Sequence, residues 1–447
     1  MTFALRDYQV RCVEETRQAF RASRSVCIVA PTGAGKTVLG LEIVRRTLAA
    51  KPTARALWIA HRTELIDQAR IRAEDYLGAD ADRMDVATVQ GLASSGARPR
   101  ADLLVLDEAH HYGAGAAQWH DVIQHYGGAW RLGLTATPQR ADGSPLGDVF
   151  GAMVVAAQYS ELVEAGHLVP CEVLRPADTI RGVDVAPELV VSAWQEHASG
   201  RQGFIFGRLV AECHAYADAL RGAGVTAEVI SGETTSEDRD LFLHEFKAGK
   251  IRALVSVFVL TEGIDVPAAA VCMLARGCGA SGTFLQMAGR VLRPAPGKTD
   301  AVLIDLLGAS WIHGIPTADR EYALEGRAIR VAGQQDREDS DGEGEPDDRP
   351  VIYSLELSKV FDGENTPPAA KRAEWERVSA FARARGWCLT WAAKEYAKLF
   401  AGPPPASMDE KADAMRTLRA RAAEKGYKSG WASHRYRQAF GVWPKGV

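Results

Sequence analysis

Residues 26–37 read VCIVAPTGAGKT, and no other stretch limits so sharply what this chain can fold into. Val26, Cys27, Ile28 and Val29 are an apolar run of buried-strand type. A turn containing Gly33 and Gly35 follows, and Lys36 and Thr37 then open a segment whose apolar residues, Val38, Leu39, Leu41, Ile43 and Val44, recur at helical spacing. Glycines in such a turn let backbone N–H groups converge on one anion, because no side chain blocks the approach. The stretch therefore reads as a polyphosphate cradle. Thr32, Gly33, Ala34 and Gly35 form the loop, Lys36 neutralises the terminal phosphates, and the Thr37 hydroxyl is offered to Mg²⁺. Ala30 stands where many such loops begin with glycine. ATP binding is the expectation that organises the rest.

Short apolar strands alternate with helices on the far side of the loop. Helical spacing covers 8–20 ahead of it; strands are expected over 56–60, 85–89, 102–106 and 131–135, with a helix over 64–76. A second set begins near 169, with strands over 204–206, 227–230, 251–257, 270–274 and 301–306 and helices over 209–220, 237–246 and 283–292. Such alternation implies parallel sheets covered on both faces. The expected fold is α/β: two RecA-like lobes, 1–168 and 169–332, with a nucleotide between them and a phosphate loop in the first only.

The 447 residues, 47% of them hydrophobic, are ample for several buried cores. The start MTFALRDYQV carries no basic-then-apolar leader and no run is long enough to span a bilayer, so a cytoplasmic protein without membrane contact is expected. Seven scattered cysteines, at 12, 27, 171, 213, 272, 278 and 388, include no C-x-x-C pair, which argues against a disulfide framework and against zinc. The net charge of −4 hides an uneven distribution. Residues 336–349 hold eight acidic and two basic residues, whereas 366–447 hold sixteen basic and seven acidic. An acidic linker over 333–350 is thus expected to tether a basic, aromatic-rich, mainly helical tail over 351–447, with helical patterns over 369–400 and 408–425.

Asp107 and Glu108 follow the apolar strand at 103–106, which brings two carboxylates to the edge of the sheet that carries the phosphate loop. There Asp107 would hold the metal and Glu108 would orient the attacking water. Together with His110, with Thr135-Ala136-Thr137-Pro138, with Thr261-Glu262-Gly263-Ile264-Asp265, and with Gln286 to Arg293 (QMAGRVLR), this ordered set resembles the motifs of superfamily-two helicases over roughly residues 3 to 310. The resemblance implies several roles. Gln286, Arg290 and Arg293 would face the γ-phosphate from the second lobe, with Arg293, alone or with Arg290, as an arginine finger. Arg6 and Gln9 would read adenine and Phe3 would stack on it. His110, Thr135 and Thr137 would couple hydrolysis to strand movement, and Gly263 and Asp265 would meet the ribose and the lobe interface. Arg62, Thr63, Thr88, Gln90 and Thr261 would contact nucleic acid.

The start LRDYQ and the end KGYKSGWASHRYRQAFGVWP further resemble RadD-like repair helicases of bacteria and phages, although no cysteine cluster follows the lobes as it does in larger members. That resemblance implies a DNA helicase or translocase in repair or recombination, with a single-strand-binding or recombination protein as partner. The alternatives are an RNA-directed DEAH-type ATPase, an ATP-switched remodeller and a restriction-type motor subunit. In the tail, Arg435 and Arg437 lie among Trp431, Tyr436 and Trp443, a mixture that suits base stacking on nucleic acid and equally a small hydrophobic core.

Overall fold

The computed structural model describes residues 4–61, 63–112, 117–140, 142–257, 266–326, 329–331, 351–352, 355, 357–360, 372, 375–376, 378–380, 383, 388–397, 404–425 and 431–440. They divide into two compact units, Met1–Ser358 and Lys359–Val447.

The first unit opens with helix α1 (Asp7–Ala22) and a sheet of β1 (Ser25–Val29), β2 (Ala56–Ala60), β3 (Met84–Thr88), β4 (Leu103–Asp107), β5 (Trp130–Thr135) and β6 (Ala152–Val155). Its order is β3-β2-β4-β5-β1-β6 and every pairing is parallel, with Val29 opposite Thr135 and Ala60 opposite Thr88. The central strands β1, β2 and β4 are nearly continuous apolar runs because both their faces are covered, whereas edge strand β3 carries Asp85 and is half-buried; all of β2 is fully buried. Helices α2 (Lys36–Ala50), α3 (Thr63–Leu77), α4 (Val89–Ser95) and α5 (Ala117–His125) connect them. Gly40 brings α2 close to the sheet: a Cβ there would lie 2.7 Å from both Leu134 Cδ1 and Trp58 Cη2.

After α6 (Tyr159–Glu164) come β7 (Cys171–Arg175), β8 (Asp184–Val185), α7 (Pro187–His197), β9 (Gly203–Phe206), α8 (Val210–Gly222), β10 (Ala227–Val229), α9 (Ser236–Lys247), β11 (Ala253–Ser256), β12 (Val271–Leu274), α10 (Ser281–Gly289), β13 (Ala301–Asp305) and α11 (Ala309–His313). The second sheet runs β10-β11-β9-β12-β13-β7, and these pairings are parallel. Sequence patterning left out β6, β7, β8, α4, α5, α6, α11 and α7. The last carried a start signal, Pro187 in its first turn followed by Glu188.

A further strand pair, β14 (Arg320–Tyr322) with β15 (Ile329–Val331), turns back onto the first lobe. Gln158 and Arg320 exchange hydrogen bonds of 2.9 and 3.1 Å, and Ser160 bonds Asp319. The tail was expected from 351, yet β16 (Val351–Ile352) pairs with β8, and Ile352, Leu355 and Leu357 pack on the second-lobe core. The apolar residues Ile352, Leu355 and Leu357 belong with the second-lobe core rather than with the tail. The linker at 333–350 lies outside the described residues.

Among the described residues of the second unit, helices run over Leu389–Ala397, Met408–Lys425 and Trp431–Phe440, and residues 375–376 and 378–380 are helical as well. They enclose Trp375, Tyr396, Leu418, Tyr436 and Phe440, and Trp375 Nε1 donates to Glu410 Oε2 at 3.0 Å. Tyr436 is therefore a core residue, while Arg435 and Arg437 are exposed on the same helix. Trp443 and the Trp431 side chain lie outside the described residues.

Candidate active site

The phosphate loop is tied to the end of β5 by Ala30 N–H, which donates to Thr135 O at 2.9 Å. Gly33 and Gly35 take positive φ of 92° and 79°. Gly35 caps α2 in that left-handed form, so the helix start at Lys36, with its unpaired N–H groups and positive dipole end, faces the loop. The glycines are needed for space as well. A Cβ on Gly33 would come within 3.1 Å of Leu168 Cδ2 and 3.2 Å of Arg293 Cγ, and one on Gly35 within 2.8 Å of Gln9 Nε2. Thr32 is buried and Ala34 fully so.

Lys36 Nζ lies 3.3 Å from Glu108 Oε1, with both side chains mostly shielded from water. Asp107 is buried and accepts Glu108 N–H at 3.0 Å. Burial, and after it the neighbouring Glu108 carboxylate, push Asp107 up to about 7 against the pull of Lys36. Glu108 has φ 49°, the one positive value among the described non-glycine residues, a strained turn that aims its carboxylate toward Lys36. Adjacent carboxylates that resist joint ionisation, next to the α2 turn that carries Thr37, fit a hard divalent cation: Asp107 and Thr37 are the residues that would hold Mg²⁺.

His110 joins this centre to the second lobe. Its Nδ1 is 3.1 Å from Thr135 Oγ1 and 3.5 Å from Glu108 Oε2, and its Nε2 is 3.0 Å from Gln286 Nε2. Thr135 Oγ1 already donates to Thr137 O at 2.6 Å, so the network assigns the His110 proton to Nδ1 and leaves Nε2 to accept from the Gln286 amide. Thr137 N–H in turn donates to Thr135 Oγ1, and the buried Thr137 hydroxyl, which has no hydrogen-bond partner among the described residues, faces Gly282 at the start of α10.

The expected helix over 283–292 is cut short at Gly289. Arg290, Val291 and Leu292 instead bond back to Met287, Ala288 and Gly289, three residues earlier. This tighter winding swings the chain so that Arg293 lies over Gly33. Gly289 makes the approach feasible, since a Cβ there would sit 2.6 Å from Thr32 Cβ. Arg290 is buried at the turn.

Gln9 has tasks that sequence reasoning did not assign. Its Oε1 accepts Arg6 N–H at 3.0 Å and its Nε2 reaches Ala34 O at 3.4 Å, which fastens α1 to the phosphate loop. Tyr8, which was overlooked, does the same more tightly, donating to Ala34 O at 2.6 Å; Arg6 is exposed with Nη1 3.5 Å from the Tyr8 hydroxyl. Phe3, Arg62, Thr261, Gly263 and Asp265 lie outside the described residues, as does the Thr63 side chain at the start of α3. Thr88 caps α4 by accepting Gly91 N–H at 2.9 Å, and Gln90 is exposed in that first turn. His61 at the end of β2 stacks on His111, with centroids 4.0 Å apart, and His111 on His110 at 4.2 Å. Adjacent histidines at 110 and 111 were visible in the sequence, but their meeting with His61 was not.

Two family matches bracket this geometry. Residues 2–140 match the type III restriction enzyme res subunit, and residues 183–295 match the helicase conserved C-terminal domain. The paired lobes are those of the superfamily-two helicase family. Among its relatives, a 51.5 kDa protein of a Lactococcus phage (isolate 7-9) is 28% identical over 66% of this chain and 68% of its own. The DNA 3'-5' helicase XPB of Kineococcus radiotolerans is 27% identical over 77% of this chain and 67% of its own. Some helicase relatives are longer: the match spans 57% of one from Schizosaccharomyces pombe and 52% of one from Saccharomyces cerevisiae. A solved structure of the DUF1998 helicase MrfA bound to DNA is similar in fold, with a TM-score of 0.53 at 17% identity over 69% of this chain and 50% of that one.

Proposed function

We propose that this protein is a nucleic-acid-stimulated ATPase that works on DNA as a helicase or translocase. The observation that carries the reading is the reach of the second lobe into the phosphate-loop site: Gln286 on His110, and Arg293 over Gly33. Lys36 and the loop N–H groups would bind the triphosphate, and Glu108, released from Lys36 by it, would orient the attacking water. Asp107 and Thr37 would hold Mg²⁺, which would supply charge neutralisation at the phosphate oxygens. Arg293 stabilises transition-state charge only when the lobes are closed, so a strand that favours closure accelerates turnover. His110 senses both sides, being bonded to Thr135 and to Gln286.

DNA is favoured because relatives carry names such as DNA 3'-5' helicase and DNA 3'-5' translocase. The finer reading, a RadD-like cytoplasmic enzyme of repair or recombination with a single-strand-binding or recombination partner, draws on the LRDYQ start and the basic aromatic tail. A second reading, a restriction-type motor subunit, is favoured by the match of 2–140 to a res subunit. The test is the ATPase rate with single-stranded, duplex and forked DNA and with RNA. Stimulation by DNA with strand separation on the fork is the expected result. Duplex-only stimulation without separation would favour the restriction-type motor, and stimulation by RNA alone would overturn the DNA assignment.

A further inference from the structure

Lys298 lies five residues beyond Arg293, in a loop folded back on itself. Lys298 N–H donates to Ala295 O at 3.0 Å and Gly297 takes φ 78°. The side chain then reaches three backbone carbonyls: Arg293 O at 2.8 Å, Pro267 O at 2.8 Å and Ala269 O at 2.6 Å. An ammonium has three protons, and here each has its own acceptor. Three carbonyl dipoles pointing at one place repel one another unless a cation holds them, so this cluster is built around a charged lysine. On the other side of the same turn, Leu292 O accepts Val169 N–H at 2.8 Å. The peptide from which the Arg293 side chain departs is thus clamped from both directions.

We infer that Lys298 is a positioning residue for Arg293, setting where that side chain leaves the backbone and joining its turn to the loop at 267–269. The inference rests on the reading of Arg293 as the residue that completes the hydrolytic site. The loop at 267–269 lies just beyond the segment 261–265 to which the helicase resemblance assigns nucleic-acid and ribose contacts. The groups around it are Cys171 on β7, the Arg293 guanidinium and Asp300, which is itself 3.2 Å from Arg201. Burial pushes Lys298 down to about 8, against the three carbonyls that favour its charged form, while burial holds the Cys171 thiol up at about 12. Deprotonation of Lys298 leaves two N–H groups for three carbonyls, so turnover should fall as pH rises past about 8.

The test is a mutant cycle of Lys298→Met and Arg293→Ala in the full chain, with kcat at saturating DNA from pH 7 to 9 and ATP affinity by equilibrium binding. Lys298→Met is expected to lower kcat roughly ten- to a hundredfold, the scale of a misplaced catalytic group, with ATP affinity kept within about twofold. It should add nothing once Arg293 is Ala, and the alkaline fall of the wild type should be missing from Lys298→Met. Additive losses, normal kcat in Lys298→Met, or an unchanged pH profile would overturn the inference. Normal turnover in Arg293→Ala alone would instead overturn the finger reading. Should Lys298→Met not fold, Lys298→Arg enters the same cycle: its planar fork cannot converge on three carbonyls, and it is judged by the same outcomes.

Discussion

Both lobes turn from a buried strand into a helix, and they treat the helix start in opposite ways. After β1, Gly35 caps α2 without a side-chain hydrogen bond, and Lys36 reaches across to Glu108 at 3.3 Å. After β9, Glu212 in the first turn of α8 folds back and accepts the N–H groups of Arg208 and Leu209 at 3.1 and 3.2 Å. Arg208 is held in turn by Glu212 and Asp184, at 2.7 and 2.9 Å. The second lobe has filled its helix start with its own carboxylate; the first caps its helix with a glycine that brings no side-chain acceptor. An α/β alternation therefore does not by itself make a nucleotide site. What decides is whether the chain satisfies the helix start internally. The second lobe contributes differently, by sending Gln286 and Arg293 across to its neighbour's loop.

The comparison breaks first at Lys36. Lys36→Ala should reduce phosphate release at saturating ATP to about a thousandth of wild type or less, since the open helix start keeps its N–H groups but loses its charge. Substantial hydrolysis in a folded Lys36→Ala protein would mean that the first lobe is not the hydrolytic one. At the second lobe, Glu212→Ala removes the internal carboxylate. Two N–H groups and the Arg208 guanidinium lose a partner, so denaturant melts should show a loss of about 1–3 kcal/mol while basal ATPase is retained. Intact stability with lost hydrolysis would show that this helix start does more than cap itself.

The smallest expected effect sharpens the same contrast at Asp107. Its folded-state pKa is raised, so the folded protein holds this proton more tightly than the unfolded chain, and the stability it contributes is lost as pH rises through about 7. Without nucleotide and Mg²⁺, Tm should fall from pH 5 to pH 8, and Asp107→Asn should remove much of that slope and raise Tm at pH 8 by on the order of a few degrees. An Asp107→Asn protein with the wild-type slope would count against a strained carboxylate there.

The first lobe was legible because its chemistry is local: glycines, lysine and the strand before them are contiguous, as are Asp107 and Glu108 at the end of β4. Both lobes could be read from their apolar runs. Legibility failed where the same apolar residues serve two geometries. Val291 and Leu292 are fully buried, so the apolar pattern runs on past Gly289 although the winding changes there. In the tail, aromatic content could not separate stacking from packing, but the spacing Ala432, Tyr436, Phe440 is that of one buried helix face and would have favoured packing. The internal cap of α8 had no such signal, because Leu209 at its N-cap offers no side-chain acceptor. The ties of Tyr8 and Gln9 to Ala34, and the stack of His61 on His111, join residues far apart in sequence and left no local trace.

The central claim is that hydrolysis belongs to neither lobe alone but to the site completed when Arg293 lies over the phosphate loop. It is tested most directly by measuring DNA-stimulated kcat and ATP affinity side by side for Arg293→Ala. A fall in kcat on the order of a thousandfold, with ATP affinity changed by no more than about threefold, is the expected result. Near-normal stimulated turnover, or a loss of ATP binding that accounts for the whole defect, would contradict it.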